Sequence, residues 1–147
     1  MNVKNAGTFL CAVLLGIALG ACAVPDKKPQ AVPVTSALLA GTQWTAFTVD
    51  GLAEVVGPKP KLRWDLSERV SGTGGCNAFG GPSVFGPDSL RMGPLAPVGK
   101  SCITLPGGQE DLFFKALERT RKARVEHDQL ILMDATGNQL ARLLLTP

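Results

Sequence analysis

A glycine-rich stretch at residues 71–81, S-G-T-G-G-C-N-A-F-G-G, restricts the possible folds of this 147-residue chain more than any other feature. Glycine at this density marks backbone that turns tightly or packs closely against another segment. The stretch also contains Cys76 and an aromatic residue, Phe79, which can fix the backbone to a core. A flexible linker would lack such an anchor. We therefore predict a strand end that runs into a tight, ordered connection, in which Asn77 can take a left-handed conformation.

The N-terminus has the pattern of a secretory signal. Lys4 supplies a positive charge, and residues 9–19 form an apolar run that is too short to span a bilayer comfortably. The sequence L-G-A-C that ends at Cys22 resembles a bacterial lipobox, in which the cysteine is acylated and becomes the mature N-terminus. We therefore predict a lipoprotein signal peptide over residues 1–21 and lipid attachment at Cys22. The alternative is a soluble secreted protein that is cleaved nearby.

The residues after the lipobox predict where and how the domain is held. Ala23 follows the cysteine, and by resemblance to enterobacterial lipoproteins the absence of an aspartate there permits export to the outer membrane. We expect a bacterial envelope protein that is anchored to the membrane through its N-terminal lipid and faces the periplasm. Residues 22–37 contain prolines and two adjacent lysines without an apolar period, which predicts a flexible tether. The folded domain should extend over residues 38–147.

Length and charge limit what this domain can be. The residues after the tether are sufficient for one small domain with a single core. The net charge of the whole chain is +3, and it falls to about +2 when Lys4 leaves with the signal peptide. Because a protein that binds DNA or RNA normally carries a large basic excess, we exclude nucleic acid as a partner.

Hydrophobic patterning predicts several strands and one helix. Residues 41–49 are rich in β-formers, and residues 61–66 alternate strictly between charged and apolar side chains. Residues 129–133 and 139–145 form an apolar hairpin by pattern, with a turn between them. A helix should begin after the glycines at 107–108, with its apolar face at Leu112, Phe113, Ala116, Leu117 and Thr120. Early strands, one helix and late strands predict an α+β domain whose helix covers one side of the sheet.

These elements together resemble the META domain, also called the HslJ-like family. The resemblance covers residues 38–145. It is carried by Leu39, Gly41, Thr42 and Trp44; by Gly72, Gly74, Gly75, Cys76, Asn77, Phe79 and Gly81; by Cys102; by Glu110, Phe113, Ala116 and Leu117; and by Leu130, Leu132, Asp134, Gly137 and Leu140. The resemblance implies a small, mixed, mainly antiparallel half-barrel packed by one helix. It also implies a stress-related protein of the cell envelope, and it carries over no catalytic residue.

The cysteines predict one disulfide. Cys11 leaves with the signal peptide and Cys22 is acylated, so Cys76 and Cys102 remain as an even pair in a compartment that allows disulfides. Closing a loop of about 27 residues stabilises a small domain by roughly 3 kcal/mol in the chain-entropy model. The alternative is two buried thiols that never meet, because geometry decides the pairing.

Catalytic and metal-binding interpretations are weaker. A cysteine nucleophile needs a base, and the single histidine, His127, lies at a predicted strand end before a turn, where a surface role is the simpler interpretation. Two cysteines and one histidine without close spacing make a poor zinc site. Asp65 and Asp134 are spaced as strand and turn residues rather than as an acid and base pair. We predict that the protein is not an enzyme and binds no metal or cofactor.

A basic cluster is the best candidate for contact with an anionic surface. On a tethered domain it could face anionic lipid, lipopolysaccharide or cell-wall polymer. The competing interpretation is that these cations end a helix and form i,i+4 pairs, Asp111 with Lys115 and Glu118 with Lys122, on a solvated face. The cluster consists of Lys115, Arg119, Arg121, Lys122 and Arg124.

Three hypotheses of function follow. The first is a non-enzymatic envelope lipoprotein that binds or supports an envelope protein or polymer under stress. The second is an inhibitor or ligand-binding module that acts on an envelope hydrolase or a small molecule through the loops at residues 72–99. The third is an enzyme that uses Cys76 as its nucleophile.

Overall fold

The computed structural model describes residues 31–99 and 102–147. The predicted signal peptide, the predicted acylation site at Cys22 and the first part of the predicted tether lie outside the described residues. Within the described ranges, no helix is long and apolar enough to cross a membrane.

The described residues form a strand-rich domain with one long helix. The strands are β1 (Val32–Pro33), β2 (Gln43–Val49), β3 (Lys61–Trp64), β4 (Arg69–Thr73), β5 (Ala78–Gly86), β6 (Ser89–Met92), β7 (Ala96–Val98), β8 (Lys122–Glu126), β9 (Gln129–Met133) and β10 (Gln139–Thr146). The helices are the short α1 (Ser36–Leu39) and the longer α2 (Gln109–Arg119).

The strands pair antiparallel in the order β1-β8-β9-β10-β2-β3-β4-β5-β6, and β7 pairs with the first part of β5. The sheet curls far enough for the Leu90 backbone N–H on β6 to donate to the Arg121 carbonyl just before β8, at 3.0 Å. The result is a half-barrel with α2 packed against it. The predicted fold class, a mainly antiparallel α+β half-barrel packed by one helix, is confirmed.

The core lies between the sheet and α2. In β3, Leu62 and Trp64 are buried while Lys61 and Arg63 are exposed, as the strict alternation predicts. From α2 the side chains of Phe113, Ala116 and Leu117 are buried against the sheet. Because one stripe of the helix is apolar, this packing determines which side of α2 faces the sheet. The N-terminus of α2 lies against the glycine-rich turn, where Glu110 accepts the Asn77 N–H.

The ordered domain begins earlier than the sequence predicts. Val32 and Pro33 pair with Val125 and Arg124 on β8, and the Val34 side chain is only 4% exposed. Thr35 then caps α1 by accepting a hydrogen bond from the Leu38 N–H at 3.2 Å. The predicted tether over residues 22–37 is therefore wrong for its last residues, because strand pairing and burial of one valine order a segment that has no periodicity of its own.

Two element boundaries also differ from the sequence prediction. Helix α2 ends at Arg119, so Lys122 begins β8 and does not continue the helix. The predicted i,i+4 pair between Glu118 and Lys122 is therefore wrong, since the two residues belong to different elements. Strand β3 ends at Trp64, and Leu66 is exposed in the following turn.

Candidate functional site

The glycine-rich stretch forms the end of β4, a tight turn and the start of β5, as predicted. The turn is closed by the Gly74 N–H, which donates to the Asn77 carbonyl at 3.0 Å. Gly75 has a φ of +123°, and a β-carbon there would lie 2.7 Å from the Pro58 carbonyl oxygen. Glycine is therefore required at this position by both conformation and space.

Asn77 contributes through its side chain and not through its backbone conformation. Asn77 does not use the left-handed conformation that was open to it, because among the described residues other than glycine a positive φ occurs at Glu68 and His127. Gly75 takes the positive φ of this turn, which leaves Asn77 free to direct its amide inward. Its side chain is buried, with 8% exposed.

The Asn77 amide joins three segments of the chain. Its Nδ2 donates to Glu110 Oε2 at 2.7 Å, to the Cys102 carbonyl at 2.9 Å and to Thr104 Oγ1 at 3.1 Å. Its Oδ1 accepts the Cys102 N–H at 3.1 Å. The turn, the segment after β7 and the first turn of α2 are thereby held in one arrangement.

Glu110 is the second member of this network. Its Oε1 accepts the backbone N–H groups of Asn77 at 2.7 Å and Cys76 at 3.3 Å, and its Oε2 also accepts the Thr104 hydroxyl at 2.6 Å. Burial acts to raise the pKa of Glu110, but the hydrogen bonds from Thr104, Asn77 and Cys76 outweigh it and hold the pKa below its usual value. Glu110 is therefore a structural carboxylate whose acceptor sites are already used.

A disulfide joins Cys76 in the turn to Cys102, with a Cα–Cα distance of 6.1 Å. The predicted pairing of these two cysteines is confirmed. Both cysteines are exposed. The disulfide thus joins, at the surface, the same two segments that the Asn77 side chain joins below it: the glycine-rich turn and the segment at Cys102.

A cavity of about 360 Å³ lies beside this network, between α2, β5 and β7. Its apolar walls come from Phe79, Leu95, Pro97 and Phe114. The rings of Phe79 and Phe114 meet edge to face with their centroids 5.4 Å apart, which fixes both walls. The cavity is thus mainly apolar and is built on packed elements.

Polar groups lie at the rim of the cavity. Asn77, Thr104 and Glu118 line it together with the apolar walls. Glu118 is exposed near the end of α2, and no ion pair involves its carboxylate among residues 31–99 and 102–147. An apolar cavity with one carboxylate at its rim suits a ligand with an apolar body and a cationic or hydrogen-bond-donating group.

The structure divides the predicted basic cluster. Lys115 and Arg119 lie on α2, where Lys115 Nζ pairs with Asp111 Oδ2 at 2.8 Å and Arg119 pairs with Asp50 Oδ2 at 3.4 Å. The predicted i,i+4 pair between Asp111 and Lys115 is therefore present. Exposed pairs of this kind contribute little to stability, but they lower the positive charge that the helix presents.

The other three cations lie beyond the helix. The Arg121 guanidinium donates to the carbonyls of Glu118 and Thr120, both at 2.7 Å. Arg124 on β8 pairs with Glu126 at 2.6 Å, and Lys122 is exposed at the start of the same strand. The five residues therefore do not form one continuous cationic face.

The residues of the catalytic interpretation lie on separate parts of the fold. The Cys76 sulfur is bonded to Cys102, and His127 lies in the turn between β8 and β9. Asp65 and Asp134 each accept hydrogen bonds from their own turns, which hold the pKa of both carboxyls below the usual range. In the part of the chain that the structure describes, no three His, Cys, Asp or Glu side chains are placed to hold a metal ion.

The sequence did not reveal several residues of this site. Glu110 belongs to the family pattern, but the sequence does not indicate that its carboxylate accepts hydrogen bonds from the glycine-rich turn. Leu95, Pro97 and Phe114 come from separate elements, and their meeting at one cavity is a consequence of the fold. One signal was present: Phe114 is an apolar residue on α2 outside the buried stripe of Phe113, Ala116 and Leu117.

The fold and the site define a class of small antiparallel half-barrels in which a disulfide closes a glycine-rich turn onto one helix. The chain belongs to the META domain family, which matches residues 37–146. This agrees with the resemblance to HslJ-like proteins.

Two solved structures are similar. An NMR structure of a protein from Burkholderia xenovorans has 25% identity and a TM-score of 0.57, and the match covers 84% of this chain and 97% of that one. A second NMR structure has 21% identity and a TM-score of 0.57, with 76% and 95% of the two chains covered. A comparison with curated proteins found no match. These similarities support the fold and assign no activity.

Proposed function

We propose that this protein is a non-enzymatic, lipid-anchored envelope protein whose META domain binds a small amphipathic molecule. The observation that carries the proposal is the apolar cavity between α2, β5 and β7, with the Glu118 carboxylate at its rim. This develops the ligand-binding hypothesis for the loops at residues 72–99, because Phe79, Leu95 and Pro97 all line the cavity.

The size and the lining of the cavity favour a small molecule over a polymer. Its volume of about 360 Å³ falls within the roughly 300 to 1,000 Å³ that is typical of small-molecule sites. Phe79 and Phe114 pack against each other and against Phe113 in the core, so the walls are formed before a ligand arrives. A preformed site saves the ordering cost of binding.

The rim favours a ligand with a positive group. Glu118 supplies a carboxylate without an ion pair among the described residues, and Asn77 and Thr104 add hydrogen-bonding groups to the same lining. A ligand whose apolar body fills the cavity can place an ammonium group at Glu118. An anionic amphiphile would meet repulsion there.

Envelope location is the second part of the proposal. The lipobox at residues 19–22 supports acylation of Cys22, and the disulfide supports an oxidising compartment. A stress-related role follows from the family resemblance. The outer-membrane location, facing the periplasm, follows from Ala23 after the predicted acylation site, by resemblance to enterobacterial lipoproteins. The absence of a free thiol at Cys76 in this fold supports a binding role over nucleophilic catalysis.

Binding is tested with the chain from residue 23 onward, exported behind an ordinary secretory leader so that no lipid competes for the cavity. The probe is N-phenyl-1-naphthylamine, a neutral apolar dye that fluoresces in apolar sites. We expect one saturable site that decylammonium displaces more effectively than decyl sulfate. Glu118→Gln should abolish this preference, whereas Glu54→Gln, which removes an exposed carboxylate elsewhere, should preserve it.

A second pair of variants tests the location of the site. Phe114→Ala removes an aromatic wall and should weaken dye binding, while Leu144→Ala removes an exposed apolar side chain from β10 and should not. Equal binding by all variants, or no saturable binding by the parent protein, would reject the cavity as a ligand site. Intact mass of the membrane-extracted protein tests the anchor, since a mature chain that begins elsewhere than at an acylated Cys22 would reject it.

An exposed apolar loop favours hydrolase inhibition as a second candidate. Ile103 is 88% exposed and Leu105 is 69% exposed directly after the disulfide, and Val56 is exposed nearby, where its N–H donates to Gln109. Exposed apolar residues on a surface loop suit a protein partner. Affinity capture from envelope extracts with the parent protein and with an Ile103→Ser, Leu105→Ser variant tests this; identical sets of captured hydrolases would reject it.

A further inference from the structure

A second surface, on the outer face of the sheet, carries a different chemistry from the apolar cavity. Alternation along β3 directs Lys61 and Arg63 outward while Leu62 and Trp64 enter the core, and Arg69 at the start of β4 is also exposed. These three cations border a groove of about 530 Å³ on the open side of β3, β4 and β5. We call this surface the outer groove.

The floor of the outer groove is made of small and hydroxyl-bearing residues. Strand register places Thr73 opposite Lys61 and Ser71 opposite Arg63, and Gly80 on β5 lies opposite Ser71. The long cationic side chains therefore project further from the sheet than the small side chains that form the floor. The Asp65 N–H donates to the Arg69 carbonyl, so Arg69 lies level with Asp65. The cations therefore extend from Lys61 to the level of Asp65, which is about 13 Å at roughly 3.3 Å per residue and is enough for an extended chain to lie along them.

The charge of the groove is positive. Its one lining acid, Asp65, accepts the backbone N–H groups of Ser67 at 2.8 Å and Arg69 at 3.0 Å, which engages the carboxylate within its own turn. Across the described residues, no ion pair involves Lys61, Arg63 or Arg69. Three cations against one engaged carboxylate are complementary to a polyanion.

The remaining lining indicates which polyanion fits. Among the described lining residues the aromatic one is Phe79, whose side chain is 3% exposed, so no ring is available for the base stacking that single-stranded nucleic acid uses. Ser71, Thr73 and Gln43 offer hydrogen bonds to hydroxyl groups, and arginine matches a carboxylate with two parallel hydrogen bonds. Large apolar anchors, which protein partners use, are limited to Val98 at the rim.

We propose that the outer groove binds an acidic polysaccharide, with Arg63 and Arg69 on its carboxylates and the β4 hydroxyls on its sugar hydroxyls. The outer groove shares Ala78 and Phe79 with the lining of the apolar cavity, but its cations and hydroxyls do not line that cavity, and the proposal does not depend on the ligand proposed there. The outer groove also differs from the predicted basic cluster on α2 and β8, since it shares no residue with that cluster.

The test uses the full-length protein in a nonionic detergent and a fluorescent oligogalacturonate, with its methyl-esterified form as an uncharged probe of the same sugar. We expect binding of the acid that weakens as salt rises, and no binding of the ester. Ser71→Glu places a carboxylate opposite Arg63 and should weaken binding about fivefold, while Ser71→Gln, which has the size of the glutamate variant without its charge, should change it less than about twofold. Unchanged thermal melting of both variants shows that the fold is intact.

Two triple substitutions test independently whether the cations of the outer groove are the binding site. Replacing Lys61, Arg63 and Arg69 with glutamine should abolish binding. Replacing Arg91, Lys115 and Lys122 with glutamine lowers the net charge by the same amount and should leave most of the binding. Equal losses in both triple variants would reject a specific groove in favour of general charge attraction. Equal binding of the ester, or tighter binding of polyglutamate or single-stranded DNA, would overturn the polysaccharide assignment.

Discussion

The Asn77 side-chain nitrogen lies 2.7 Å from Glu110 Oε2, and this contact joins the glycine-rich turn to the first turn of α2. The two residues are far apart in sequence, and each also binds Thr104. The relationship explains how a turn with so much glycine keeps one conformation. Its backbone is permissive, but its polar groups bind the partly buried Glu110 carboxylate and the buried Asn77 amide. The apolar cavity depends on that order, because Asn77 lines its disulfide end.

Asn77→Ala should destabilise the domain by about 2 to 3 kcal/mol, because it removes the buried amide that donates to Glu110 Oε2 and the Cys102 carbonyl and accepts the Cys102 N–H. Urea denaturation followed by tryptophan fluorescence measures the change. Asn138→Ala is the matched control, since Asn138 lies in an exposed turn where water can replace the lost hydrogen bonds. A loss no greater than that of the control would show that the Asn77 network does not stabilise the fold.

Reduction of the disulfide should lower the free energy of unfolding by about 3 kcal/mol in the chain-entropy model, because the bridge closes a loop with a sequence separation of 26. The paired variant Cys76→Ala, Cys102→Ala should show the same loss and should no longer respond to reductant. Thermal melting with and without reductant measures both effects. Rapid alkylation of Cys76 in the native, unreduced protein would contradict the bonded state.

The parts of the fold that the sequence predicts are those with local signals. The alternation at Lys61–Trp64 predicts β3 and its buried face, and glycines followed by acids predict the start of α2. Counting cysteines predicts the disulfide, because the predicted signal peptide and the predicted acylation of Cys22 leave one even pair, while the geometry of the fold decides that the two thiols meet. Each of these predictions depends on a rule that holds without knowledge of distant contacts.

The parts that the sequence could not predict depend on contacts between distant segments. Val34 is ordered because β1 pairs with the edge strand β8 and because its side chain is buried. The role of Asn77 depends on which residue of the turn takes the positive φ, and Gly75 takes it. The cavity needs both Leu95 and Phe114 in its lining, and no periodicity relates these two residues.

Gly75→Ala should destabilise the domain by at least about 2 kcal/mol, since φ is +123° there and the new methyl group would lie 2.7 Å from the Pro58 carbonyl. Gly80→Ala is the control: a β-carbon there would meet its nearest neighbour, the Val70 carbonyl, at 3.7 Å. Chemical denaturation of both variants gives the comparison. A similar cost for the two substitutions would contradict a special requirement at Gly75.

Acid should unfold the domain in part through Glu110. Its folded-state pKa lies below the ordinary value of 4.5, so the unfolded chain binds a proton more readily as pH falls. The stabilisation is therefore fully present above pH 4.5 and is lost as pH falls through the folded-state pKa. Asp65, Asp111 and Asp134 also have lowered pKa values, so their contributions have the same sign.

The variant Glu110→Gln isolates the contribution of this one carboxylate. It should be less stable than the parent protein at neutral pH and should lose less stability between pH 5 and pH 2, because the proton-linked part is gone while the other carboxylates remain. Urea denaturation at a series of pH values measures the slope, and Glu54→Gln controls for the loss of one exposed charge. Parallel pH profiles for Glu110→Gln and the parent protein would show that the hydrogen bonds from Thr104 and Asn77 do not stabilise the ionised form of Glu110.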